Sequence, residues 1–262
     1  METKNQESQD SQETQEIQKN QDTQPAKDSF ASLGLSDVLM DALNKKNFEK
    51  ATPIQAASIP IILQSDRDII AQAQTGTGKT AAFGLPMLDK LNPGASDVQA
   101  IIVTPTRELT MQVSRELSEL KGAKKLSIVP IYGGQSIDLQ KQQLRRGRDI
   151  IVGTPGRVLD HLKQKTFTLS QVKMLVLDEA DEMLNMGFLE DVEWVLEQTP
   201  QDRQIALFSA TMPKEIKRIA DKHLNNPQEI RIKTKTATAD TIRQRYWQVS
   251  NMHKLMRSRA YW

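Results

Sequence analysis

Eight consecutive residues, Ala73-Gln74-Thr75-Gly76-Thr77-Gly78-Lys79-Thr80, carry the densest chemistry in the chain. Two glycines spaced by one residue and followed at once by Lys-Thr suit a P-loop, a turn that wraps around phosphate oxygens. In such a turn the backbone N–H groups point inward and form an anion cradle. The helix that follows adds the partial positive charge of its N-terminus. Lys79 is then placed to reach the β- and γ-phosphates of a nucleotide, and the Thr80 hydroxyl to ligate Mg²⁺. Ala73 stands where the general pattern has its first glycine; a small residue still permits close backbone approach. A second chemical element is Asp178-Glu179-Ala180-Asp181. A carboxylate at the end of an apolar strand is placed to hold Mg²⁺, directly or through water. Asp178 fits that role, and Glu179 beside it suits a general base that orients and deprotonates an attacking water.

Such residues need a rigid frame, and the surrounding pattern supplies one. Asp68–Gln72 reads as a strand entering the loop, and Ala81–Leu85 begins a helical pattern leaving it. From there strands and helices alternate. Candidate strands are 68–73, 98–104, 126–132, 149–153, 172–178, 204–210 and 228–233. Runs such as Ala100-Ile101-Ile102-Val103 are continuously apolar, as expected of strands buried on both faces. Helical patterns fill 106–120, 135–144, 156–163, 188–197 and 213–223. The prediction is a doubly wound α/β fold, a mostly parallel sheet of about seven strands with helices on both faces. Ligands in such sheets bind outside the carboxyl ends of the strands, where both chemical elements fall. Upstream, Leu33–Leu43 gives a helical face with Ser36 as its N-cap, and Thr52-Pro53 starts a second helix.

Composition narrows the class. The 262 residues suffice for one α/β domain of about 200–250 residues with appendages. No cysteine is present, which excludes disulfides and cysteine-based metal sites. No signal peptide or membrane-length apolar run occurs, so a cytoplasmic protein with no membrane partner is expected. Residues 1–28 carry seven acids against three bases, with Gln at every third position from Gln6 to Gln24. So few apolar residues predict a disordered Gln-rich acidic tail. The remainder has 26 acids and 32 bases, a mildly basic body suited to an anionic ligand. Lys121–Lys125 and Arg145–Arg148 read as solvated faces, and His161, His223 and His253 show no metal-like spacing.

The ordered motifs together resemble the first motor domain of DEAD-box ATP-dependent RNA helicases. They are Ala73–Thr80, Pro105-Thr106-Arg107-Glu108-Leu109, Gly133-Gly134, Thr154-Pro155-Gly156-Arg157, Asp178–Asp181 and Ser209-Ala210-Thr211. Met183–Phe188 resembles bacterial members of that family. The resemblance covers about 30–250 and implies a RecA-like domain over 29–240, with ATP and Mg²⁺ as cofactors. It implies RNA as partner, held mainly by its sugar-phosphate backbone, and a second motor domain or an RNA-processing assembly. Within it, Gln55 is expected to pair with adenine N6 and N7, with Phe30 and Phe48 as the aromatics of that segment. Asn47, where the family usually has Gly, tolerates a left-handed backbone. Pro105, Thr106, Arg107, Gly133, Gly134, Thr154, Gly156 and Arg157 are the implied RNA-binding positions. Thr110 stands where Ala is common. Ser209 and Thr211 are expected to couple nucleotide state to RNA separation by hydrogen bonding to the Asp178–Asp181 segment.

Family members at full length carry a second motor domain that supplies arginines to the γ-phosphate. Here 241–262 reads as an aborted entry into that domain. Two readings follow: the ATP-binding half of an RNA helicase, or a truncated ATP- and RNA-binding protein without productive hydrolysis.

Overall fold

This is a computed structural model, and it describes residues 29–95 and 97–232. Seven strands form a single sheet: β1 (Ile69–Gln72), β2 (Ala100–Val103), β3 (Ile128–Ile131), β4 (Ile150–Gly153), β5 (Met174–Leu177), β6 (Gln204–Ser209) and β7 (Gln228–Arg231). Their order is β3-β4-β2-β5-β6-β1-β7, and every pairing is parallel rather than merely most of them. The helices are α1 (Asp37–Lys45), α2 (Pro53–Gln64), α3 (Lys79–Lys90), α4 (Arg107–Leu120), α5 (Ile137–Arg146), α6 (Pro155–Lys163), α7 (Ala180–Asn185), α8 (Leu189–Glu197) and α9 (Lys214–His223). The expected domain 29–240 runs past the last described residue. The expected segments 1–28 and 241–262 lie outside the described residues.

Alternation along each strand divides the core in two. Ala100 and Ile102, Val176, and Ala206 and Phe208 face a cluster formed with α1 to α4. Ile101 and Val103, Leu175 and Leu177, and Ile205 and Leu207 face a second cluster with α6 to α9. Phe83 of α3 meets Phe208 of β6 edge-on, with ring centroids 5.3 Å apart. That packing seats α3, the helix that begins at Lys79, directly on the sheet.

The register aligns the strand ends. Val103 pairs with both Gly153 and Leu177, and Gln72 with Ser209. Backbone bonds carry the alignment one residue further: Ala73 N–H to Ser209 O (3.1 Å), Asp178 N–H to Val103 O (3.0 Å) and Thr154 N–H to Ile131 O (3.1 Å). Ala73, Asp178 and Thr154 therefore leave the sheet at one end, as the sequence predicts. At the β3 edge, the Ser127 and Ile131 carbonyls accept from Ile150 and Thr154, and Pro130 lies between them.

Candidate nucleotide site and nucleic-acid face

The turn from β1 to α3 is built around two left-handed glycines, Gly76 (φ +82°) and Gly78 (φ +89°). Position 78 requires glycine twice over, because a Cβ there would also lie 2.4 Å from Gln55 Nε2. Gln74, Thr75 and Gly76 are exposed, Thr77 Oγ1 donates to Gln74 O at 2.7 Å, and Ala73 is buried. Lys79 opens α3 with Gly78 as N-cap. It is buried, and its Nζ has no hydrogen-bond partner among the described residues. Thr80, next in the helix, is half-exposed; burial holds the Glu116 carboxyl above its ordinary value, although Thr80 lies close enough to favour its charged form.

The segment expected to read adenine leans on the same turn. Gln55 is buried; its Oε1 accepts from Thr52 N–H (2.9 Å) and its Nε2 donates to Gly78 O (3.1 Å). In this conformation the amide caps α2 and braces the loop, so pairing with a base requires it to rotate or share these bonds. Phe30 is a core residue, 1% exposed, and meets the exposed Phe48 edge-on at 6.2 Å. Asn47 adopts φ +57°, as its sequence position predicts.

Asp178 faces the loop from the end of β5. It is buried, and its Oδ1 has no hydrogen-bond partner among the described residues. Burial pushes its carboxyl up to about 6; Lys79 pulls down against it, while Glu179 and Glu116 push up. Glu179 is the N-cap of α7 and sits in the left-handed region (φ +54°), a conformation costly for a side chain of this kind. Its Oε1 accepts from Thr75 Oγ1 at 3.0 Å, which ties the acidic segment to the glycine turn.

Asp181 binds the β6 exit as expected of this segment. Its Oδ2 accepts from Thr211 N–H and Thr211 Oγ1, both at 2.9 Å, and Oδ1 from Ala210 N–H at 3.4 Å. Ser209 Oγ accepts from Asp181 N–H at 3.2 Å and donates to Thr211 O at 2.7 Å. Burial pushes the Asp181 carboxyl up, but the nearby Ser209 hydroxyl and the hydrogen bonds accepted from Thr211 and Ala210 outweigh it, and the net direction is down.

The residues present suit a nucleotide with Mg²⁺. A buried ammonium at the start of α3 and a buried carboxylate oxygen just after β5 have no hydrogen-bond partners among the described residues. Among the described residues no group of three or more His, Cys, Asp or Glu side chains comes together for a metal. Thr80 and Asp178 offer only part of a shell, the usual case for Mg²⁺ that shares ligands with phosphates and water. A cavity of about 410 Å³ lined by Lys90, Met174 and Gln204 lies at the opposite end of the strands. There Lys90 and Gln204 bond one another at 3.2 Å.

The second face runs across the exits of β2, β3 and β4. Pro105 is buried, and Thr106 Oγ1 caps α4 by accepting from Leu109 N–H at 3.2 Å. Arg107 is exposed and lies 5.0 Å above the Tyr132 ring, a cation–π pair. Gly133 and Gly134 are exposed beside it, the latter at φ +81°. Thr154 caps α6 and stays half-exposed, with Gly156 in its first turn.

Arg157, expected to pair with RNA phosphate, makes contacts within the protein through Nη1 and Nε. Its Nη1 donates to Gln135 O (2.8 Å) and Gln140 Oε1 (3.1 Å), and its Nε approaches Asp160 at 3.5 Å. Thr110 fits its site for a local reason: its hydroxyl donates to Thr106 O and pairs with buried Thr104 Oγ1 at 2.7 Å. His161 is a buried structural residue. Tyr132, Gln135, Gln140 and Glu116 are contributors that sequence reasoning passed over.

An all-parallel sheet flanked by helices, with these loops at one end, defines a RecA-like α/β domain. Residues 52–219 match the DEAD/DEAH box helicase family, and the chain belongs to it. It is 50% identical over 226 residues to the DEAD-box ATP-dependent RNA helicase CshA of Bacillus subtilis, covering 86% of this chain and 46% of that protein. It is 53% identical over 226 residues to the protein of the same name in Bacillus cereus, covering 86% and 43%. A crystal structure of a DEAD box protein from Methanococcus jannaschii superposes with a TM-score of 0.76 at 48% identity, over 79% of this chain and 56% of that one. The chain thus spans less than half the length of these curated relatives. Among the described residues, no helix is long and apolar enough to cross a membrane.

Proposed function

We propose that this chain is the ATP-binding half of an ATP-dependent RNA helicase. On this reading Ala73, Gln74, Thr75, Gly76, Thr77 and Gly78 cradle the phosphates, and Lys79 neutralises the β- and γ-phosphate oxygens. Thr80 and Asp178 hold Mg²⁺, while Gln55, with Phe30 and Phe48 behind it, reads adenine. Bound ATP would supply the γ-phosphoryl group to water: the bond from the γ-phosphorus to the bridging oxygen breaks, ADP leaves with that oxygen, and inorganic phosphate is released. Glu179 orients that water and takes its proton on the carboxylate. Ser209 and Thr211, held to Asp181, pass the state of the phosphate site to the adjoining face.

Pro105, Thr106, Arg107, Gly133, Gly134, Thr154 and Gly156 receive the RNA sugar-phosphate backbone, with Arg157 bracing them. Such contacts hold a strand with little regard to base sequence. Hydrolysis coupled to local duplex unwinding belongs to this chain joined to a second motor domain, in the cytoplasm. An arginine from such a domain accelerates related reactions by roughly 10³–10⁵-fold.

The observation that supports this most is that Lys79 Nζ and Asp178 Oδ1 are both buried and, among the described residues, both without hydrogen-bond partners, with the ammonium near enough to pull the carboxyl down. The test is nucleotide binding by the 262-residue chain and its Lys79→Ala variant, followed with a fluorescent ATP analogue. The variant is expected to stay folded and lose nucleotide affinity; wild-type affinity in the variant would refute the assignment. RNA-stimulated phosphate release, measured with and without an added second motor domain, separates a split motor from a passive binder.

A further inference from the structure

Gln140 of α5 is polar, yet it is 0% exposed. Its amide is saturated. Nε2 donates to Tyr132 O and to Gln135 Oε1, both at 2.9 Å. Oε1 takes Arg157 Nη1 at 3.1 Å and faces His161 Nε2 at 3.0 Å. A side-chain amide has two N–H donors and two acceptor lone pairs, so all four are used. Facing an oxygen whose other lone pair is taken, His161 Nε2 carries the proton and donates. Burial, aided by the charges of Arg157 and Lys141, holds that imidazole down to about 4, and it stays neutral.

Each partner belongs to a different part of the second face. Tyr132 precedes the exposed Gly133-Gly134 turn, and its ring carries the Arg107 guanidinium. A Cβ on Gly134 would lie 3.8 Å from Arg107 Nη1, so turn and guanidinium are neighbours. Gln135 ends the turn, and its carbonyl takes a second bond from Arg157. Arg157 and His161 lie on α6, the helix capped by Thr154. A buried polar group that loses its partner costs more than the bond contributes, so these segments hold their spacing together.

We infer that Gln140 is a positioning residue for RNA: one buried amide fixes Arg107 on its ring, the glycine turn and the start of α6 as a single surface for a sugar-phosphate backbone. This rests on the RNA reading proposed above. The residue itself touches no ligand.

The test is Gln140→Glu in the full chain. A carboxylate keeps both acceptor bonds but cannot donate to Tyr132 O or Gln135, so the turn comes loose from α6. Binding of a fluorescein-labelled single-stranded oligouridylate at 0.1 M salt is expected to weaken at least about tenfold. The slope of log affinity against log salt should shrink by about 0.7 for each phosphate that the loosened face no longer neutralises. Affinity for a fluorescent ADP analogue should not change, a split that simple destabilisation does not produce. Unchanged RNA affinity and slope in the variant, or equal loss of RNA and ADP binding, overturns the inference.

A measurement on the wild type needs no variant. The Gln140 side-chain amide protons should shift in NMR spectra on adding oligouridylate and stay fixed on adding ADP, and no shift with RNA overturns the inference. A wild-type chain that binds no oligouridylate at all overturns the RNA reading itself.

Discussion

Replacing Asp178 by Asn should stabilise the ligand-free protein while impairing its nucleotide site. Asp178 is buried at the end of β5, and its carboxyl lies at about 6 instead of the ordinary 3.8. An acid whose folded-state pKa is raised stabilises the fold fully below its unfolded value. That contribution is lost as pH rises through the folded value. From 3.8 to about 6, at 1.36 kcal/mol per pH unit, the loss comes to about 3 kcal/mol. Asn resembles the protonated acid and does not titrate. The Asn variant should therefore match wild type near pH 4 and exceed it by up to about 3 kcal/mol at pH 7.5. In a domain of this size that is roughly 6–12 °C in Tm. Thermal or urea unfolding of both proteins from pH 4 to pH 8 reads the difference directly, and titrating groups not coupled to Asp178 cancel in it. Adding ADP with Mg²⁺ should then raise wild-type Tm and leave the variant nearly unmoved. A stability difference that does not vary with pH, or a variant that responds to ADP–Mg²⁺ as wild type does, would refute the reasoning.

Gln55→Ala should cost about 1–2 kcal/mol, because Thr52 N–H and Gly78 O both lose a partner in a buried setting. It should also erode any preference for ATP over GTP in competition binding, and equal affinities in the unmutated chain would rule out adenine reading by Gln55. Asp181→Asn should destabilise by about 1 kcal/mol at neutral pH, a figure kept small because the group is partly solvated. The Asp181 carboxyl is held below its ordinary value, so its contribution is present above that value and lost as pH falls through the folded one. Urea unfolding at pH 7 and near pH 3 should show the gap between wild type and Asn closing on acidification.

Much of the frame was legible because parallel strands buried on both faces are continuous apolar runs. Runs such as Ala100–Val103 and Met174–Leu177 announce themselves without help from long-range contacts. The strand ends were legible for the same reason, and with them Lys79, Asp178 and Ser209. The short helix α7 was not: at six residues it is too brief for a periodic pattern, and its N-cap Glu179 needs a left-handed backbone that no propensity favours. Side-chain pairings were the least legible. Arg157 is implied as an RNA contact by the resemblance of Thr-Pro-Gly-Arg to a family motif, which says nothing of its partners within the protein. That it turns toward Gln135 and Gln140 depends on α5, which lies elsewhere in the chain. One signal for Gln140 was present: with Ile137 and Leu144 it follows the spacing of the inner stripe of α5, where a polar residue is out of place. Gln55 taught the converse. Its amide was expected to face a base, yet the same amide caps its own helix and braces the phosphate turn.

Pro130 in β3 has a consequence for the protein among its own copies. In a parallel strand the N–H and C=O of one residue point to the same side. Ser127 and Ile131 bond toward β4, so the polar groups of Pro130 point away from the sheet, along its open margin. A proline there offers a carbonyl and no donor. A strand from another molecule that docked alongside β3 would find one rung missing near the middle of a four-residue strand. Among the described residues the sheet thus ends at β3 by chemistry as well as by topology, and a second copy is discouraged from extending it there.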